Sequence, residues 1–87
     1  MGAAKVELTR KAVKDLDRLR RAQPLLFMKL AAKIKSLGED PEAGKPLVGP
    51  LKGIWSLRVG DQRILYRIER GAIVVLTVNH RREAYKA

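Results

Sequence analysis

The sequence predicts an α+β domain of order β-α-α-β-β-β, a small antiparallel sheet packed on an N-terminal helical hairpin. Three observations predict it. Residues 9–37 carry two apolar stripes at helical spacing, separated at Gln23-Pro24. Residues 54–79 hold three strand-like runs, Ile54 to Val59, Gln62 to Glu69 and Ala72 to Asn79. Gly60-Asp61 and Arg70-Gly71 fall between those runs, where two-residue hairpin loops need φ > 0.

The elements follow in order. Lys5-Val6-Glu7-Leu8 alternates polar and apolar, a short strand expected to bury Val6 and Leu8. Thr9 is placed to N-cap a helix running to about Arg21. Its apolar stripe is Ala12, Val13, Leu16 and Leu19; the opposite side carries Lys11, Lys14, Asp15, Arg18 and Arg21, read as a solvated face. Pro24 opens a second helix at its first turn. That helix spans Leu25 to Leu37 with a stripe of Leu26, Phe27, Leu30, Ala31, Ile34 and Leu37, and Gly38 is expected at C′. Residues 39–50 contain three prolines and two glycines and read as a loop inside a single domain, 1–87.

Two-residue loops fix a register. Val59 then faces Gln62, Leu57 faces Ile64 and Trp55 faces Tyr66, an apolar face suited to the helices. On the other face Arg58 lies opposite Arg63. Like charges placed opposite each other in a sheet are unfavourable, so an anion belongs between them. The same register sets Asn79 beside Gln62 and His80 beside Asp61. It brings the tail His80-Arg81-Arg82-Glu83-Ala84-Tyr85 to that end of the sheet. The outer face is read as Arg58, Arg63, Leu65, Arg67, Val74, Leu76 and Val78. Either it is an interaction surface, or its aliphatic part is covered by the N-terminal segment or the 39–50 loop.

Composition narrows the function classes. Eighty-seven residues form one small core. No cysteine is present, so neither disulfides nor thiolate metal sites are expected; this agrees with a cytoplasmic location. One histidine and scattered carboxylates make a protein-built metal site unexpected, and no cofactor is implied. No apolar run approaches the roughly 20 residues of a membrane span, and the N-terminus lacks the apolar core of a signal peptide. Nineteen Lys and Arg against nine Asp and Glu give a net charge of +10, which attracts polyanions or an acidic partner.

The arginines carry the chemistry. A guanidinium is a rigid fork of donors that matches phosphate oxygens. Several around one phosphate stabilise the added charge of a pentacoordinate transition state. RNA supplies its own nucleophile, the 2′-OH, so a protein that aligns the backbone and clamps the charge can cleave it without metal. Arg58, Arg63, Arg81 and Tyr85 are the expected catalytic set, with His80 as a candidate acid or base. Tyr85 can stack on a base or hydrogen-bond the phosphate. Lys52, Ser56 and Arg82 complete the set as substrate contacts. Taken singly, Arg67, Arg70 and Arg82 read as solvated charges, Trp55 and Tyr66 as core.

The pattern L-K-G-x-W-S-L-R-V-G-D-x-R-I-L-Y, an apolar strand, then N-H-R-R-E-A-Y, resembles the RelE/ParE toxin superfamily of toxin–antitoxin systems. The H-R-R-E-A-Y ending is similar to its RelE branch. The resemblance implies a microbial-RNase-like fold and an mRNA endonuclease acting in the ribosomal A site, leaving a cyclic phosphate and a 5′-OH. It also implies a RelB-like antitoxin, with operator DNA bound only through the antitoxin complex, and no membrane partner. By resemblance Arg63, Arg81 and Tyr85 match the family's site residues. Arg58 and Ser56 stand where members often carry lysine. Serine does not easily act as a base and arginine stays protonated, so the chain lacks an obvious general base. The alternative is a ParE-like, non-enzymatic DNA gyrase inhibitor, which shares the hairpin but needs no tail tyrosine. A third reading is a basic RNA-binding module without toxicity.

Overall fold

The computed structural model describes residues 4–80. The order is β1 (Lys5–Leu8), α1 (Arg10–Ala22), α2 (Pro24–Leu37), β2 (Lys45–Pro46), a 3₁₀ turn (Gly49–Leu51), β3 (Trp55–Val59), β4 (Gln62–Glu69) and β5 (Ala72–His80). The strands form one sheet in the order β1-β5-β4-β3-β2. This is the α+β architecture read from the sequence, with two departures from the wholly antiparallel sheet and plain loop expected. β1 joins β5 in parallel, while the other pairings are antiparallel. The loop contributes a fifth, two-residue strand, β2, at the edge beside β3.

The helical hairpin covers one face. Leu16 and Leu19 of α1 and Leu30, Ile34 and Leu37 of α2 meet Ile64, Tyr66, Ile73, Val75 and Val78 of the sheet. Each such side chain contributes about 1.5–3 kcal/mol on burial. Trp55 and Tyr66 stack at 6.3 Å between ring centroids and 25° between planes. Thr9 N-caps α1 as expected, accepting from Ala12 N at 3.1 Å.

Four expectations are corrected. Leu8 is 42% and Val13 50% exposed, and Val6 is only half-buried. With Leu16, Phe27, Ala31 and Ile34 these three line an open apolar groove of about 500 Å³. β1 is an edge strand, so the hairpin leaves its outer flank uncovered. Asp15 is not on the solvated side of α1: it is 2% exposed and faces β5. Gly38 does not adopt the left-handed conformation of a C′ glycine, since its φ is −61°. It is needed for close approach, because a Cβ there would lie 2.8 Å from Ala4 O.

The fourth correction is the β4–β5 register. Glu69 pairs with Ala72 and Tyr66 with Val75 as expected, but a bulge at Leu76 then shifts the ladder by one residue. Leu65 pairs with Thr77, Ile64 with Val78, Arg63 with Asn79 and Gln62 with His80. Val78 therefore joins the core and leaves the outer face. A bulge strands backbone groups and needs partners for them. The cap of α1 and a carboxylate in its second turn supply them. Thr9 Oγ1 donates to Leu76 O at 2.7 Å, and Asp15 Oδ2 accepts from Thr77 Oγ1 at 2.6 Å and Val78 N at 3.0 Å.

Candidate nucleic-acid site on the outer sheet face

The β3–β4 hairpin has the expected register, with Arg58 across from Arg63, Leu57 from Ile64 and Trp55 from Tyr66. The turn places Gly60 first at φ 61°, a conformation glycine adopts without the Cβ penalty. Arg58 Nε donates to Gly60 O at 3.1 Å, which ties its guanidinium to the hairpin end. Arg58 is exposed and Arg63 half-buried. Two guanidiniums thus share one face within one cross-strand pair, a spacing of about 5 Å between Cβ atoms.

A cleft of about 530 Å³ opens beside them. Residues 43–47, Ser56, Leu57, Arg58 and Arg63 line it. Its floor includes Ser56, 6% exposed, and its wall is β2. The Tyr66 hydroxyl reaches past the sheet edge to hold that wall. It donates to Pro41 O at 2.7 Å and accepts from Gly44 N at 3.0 Å. Burial foremost, and the nearby Asp40 and Glu42, push the Tyr66 phenol up against the lowering Gly44 hydrogen bond, so it stays a donor. Gly44 has no room for a side chain, since a Cβ would lie 2.7 Å from Ser56 O and 2.8 Å from the Tyr66 hydroxyl.

The structure brings together Arg58, Arg63 and Ser56 as the sequence predicts. It separates others. Lys52 follows the 3₁₀ turn, its N–H bonded to Gly49 O at 3.0 Å, and does not line the cleft. His80 pairs with Gln62 instead of lying beside Asp61, which sets it on the face of Gln62 and Val78, opposite to Arg58 and Arg63. The convergence of His80 with the two arginines on one face is therefore corrected; the bulge at Leu76 is the cause. Asn79 takes the place beside Arg63. Arg81, Arg82 and Tyr85 lie outside the described residues. Two neighbours of the arginine pair were not expected from the sequence: Asn79 across from Arg63, which depends on the bulge, and Lys45 on the cleft lining, which depends on β2. Among the described residues no three His, Cys, Asp or Glu side chains gather as metal ligands, and no helix is long and apolar enough to cross a membrane.

Comparison with known proteins agrees with this architecture. A family model described as the ParE toxin of the type II toxin–antitoxin system parDE matches residues 6–85. Toxin RelG of Mycobacterium tuberculosis is 36% identical over 84 residues, 93% of this chain and 94% of that protein. The toxin–antitoxin complex RelBE2 of M. tuberculosis holds a chain that superposes with a TM-score of 0.81 at 33% identity, over 90% of this chain and 98% of that one. The YoeB/ParE toxin from Agrobacterium tumefaciens superposes with a TM-score of 0.76 at 25% identity, over 87% and 96% of the two chains. The chain belongs to the ParE toxin family of type II toxin–antitoxin systems, within the RelE/ParE superfamily.

Proposed function

We propose that the chain is a ribosome-dependent mRNA endoribonuclease. The observation that carries this is the cross-strand pair Arg58–Arg63 on the wall of an open cleft. In this reading the RNA backbone lies across the pair. The 2′-oxygen gives up its proton to water as it attacks the adjacent phosphorus, the P–O5′ bond breaks, and the 5′-oxygen takes up a proton from water. The products are a 2′,3′-cyclic phosphate and a 5′-OH. The guanidiniums hold the phosphate in line and offset the charge that grows on its equatorial oxygens. Arg81 and Tyr85 complete the site by resemblance. Ser56 and Arg58 do not accept the 2′-proton, so the reading assigns no side-chain base. Loss of general base catalysis costs about 10²–10⁴-fold, and slow turnover is expected.

The partner of this reading is a RelB-like antitoxin, with operator DNA reached through the complex. A net charge of +10 and the open apolar groove beside β1 and both helices suit an acidic, amphipathic segment. The RelBE2 structure is itself a toxin–antitoxin complex. The reading also places the protein in the cytoplasm. A second reading, gyrase inhibition, is favoured by the ParE description of the matching family model. One pair of assays separates them. Cleavage of mRNA in programmed ribosomes, with supercoiling by gyrase unaffected, is the expected outcome. Gyrase inhibition without RNA cleavage would reverse the order.

A further inference from the structure

We propose that Lys45 is a substrate-contacting residue of the cleft, its ammonium being the third cation on the RNA backbone held by Arg58 and Arg63. The inference rests on the endoribonuclease reading and deepens it.

Lys45 comes from a segment that composition marks only as loop, yet its position is tightly set. It pairs with Ser56, and Ser56 pairs with Leu65. Cross-strand partners share a face and residues two apart on a strand share it too. Lys45 therefore stands on the face of Ser56, Arg58 and Arg63, and it lines the same cleft. Ser56 is short and buried, so it brings no charge to that part of the floor. Charge there comes from across the ladder.

Three contacts fix β2 in this position. The Tyr66 hydroxyl bonds Pro41 O and Gly44 N. Gly44 packs directly on the Ser56 carbonyl. Leu47 N donates to Ile54 O at 2.8 Å and extends the ladder past Pro46, which has no N–H and suits an edge. Lys45 is exposed, and no acidic side chain among the described residues lies within ion-pair distance of it. A compact ammonium on a flexible stem, beside two planar guanidiniums, matches the several oxygens of a phosphodiester chain.

The test uses the whole toxin and its Lys45→Ala, Lys45→Arg and Arg63→Ala variants. Binding of a single-stranded RNA made uncleavable by 2′-O-methyl groups is followed from about 50 to 200 mM salt. Cleavage in programmed ribosomes is followed against pH. For Lys45→Ala the salt slope should fall by about 0.7, the loss of one phosphate contact on a single strand. Cleavage should fall by about 10- to 100-fold, the range of one charge-assisted hydrogen bond. Lys45→Arg should restore both, with the wild-type pH profile. If Arg63→Ala changes slope and rate while Lys45→Ala changes neither, Lys45 is outside the site and the inference fails alone. If Lys45→Arg stays inactive with a displaced pH profile, Lys45 moves a proton and the charge role is wrong. If Arg63→Ala also changes nothing, the site reading itself fails.

Discussion

Thr77 donates its hydroxyl to Asp15 Oδ2 at 2.6 Å, across the interface between helix α1 and strand β5. The same oxygen accepts from Val78 N, and Lys11 and Arg18 approach Oδ1 from the solvent side at 3.1 and 3.4 Å. With Thr9 on Leu76 O, this carboxylate satisfies the groups that the bulge removes from the ladder. The bulge in turn sets which of residues 77–80 face Arg63.

Asp15→Ala is expected to destabilise the fold by about 3 kcal/mol, because it strands the Val78 N–H and the Thr77 hydroxyl in a buried interface. Thr77→Val should cost about 1 kcal/mol. Asp17→Ala, which removes only the solvent-screened pairs to Arg20 and Arg21, should leave the midpoint nearly unchanged. Urea unfolding midpoints compare the three.

The same carboxylate predicts a pH dependence. Burial, the largest single influence, pushes Asp15 up. The Thr77 hydroxyl, the Val78 N–H and Lys11 together outweigh it, and the group sits below its ordinary value. A carboxylate whose folded pKa is depressed adds stability above the unfolded value of about 3.9, and that stability is lost as pH falls through the folded pKa. Thermal midpoints should therefore fall below about pH 4, and Asp15→Asn should flatten that limb.

Tyr66→Phe should cost about 1–2 kcal/mol by leaving Gly44 N and Pro41 O without their partner. Its further effect is local. Without the hydroxyl, β2 detaches from the sheet edge, and hydrogen exchange at Leu47 N, bonded to Ile54 O, should accelerate more than exchange in β4.

Arg58→Ala and Arg63→Ala should separate activity from stability. Each should lower cleavage by about 10²–10³-fold, the cost of one preorganised donor on a developing anion. For the exposed Arg58, removing one of two opposed like charges should leave the melting temperature unchanged or raised. Arg67→Ala, exposed, paired with Glu69 and not lining the cleft, is the control with unchanged cleavage.

Much of this was legible in the sequence, for local reasons. The Arg58–Arg63 pairing follows from a two-residue turn and strict alternation, both confined to about 15 residues. The helical hairpin follows from two stripes and Pro24. The bulge was not legible, because Val74 to Val78 is an almost continuous apolar run with no turn residue to mark it, and the partner that favours the bulge, Asp15, lies 62 residues from Thr77. That hidden contact moved Val78 into the core and His80 to the opposite face. β2 was hidden for a similar reason. Lys45-Pro46 sits in a Pro/Gly-rich loop, and what holds it as a strand is a phenol that bonds the preceding Gly44 from 22 residues further on.

In the proposed reaction this face grips RNA so that the RNA's own 2′-OH attacks the neighbouring phosphate. The most direct measurement is cleavage, in programmed ribosomes, of an mRNA carrying one 2′-deoxy nucleotide at the cut site, against the all-ribose mRNA. Cleavage of the all-ribose strand is expected, and none at the substituted position. Equal cleavage of the two would contradict it.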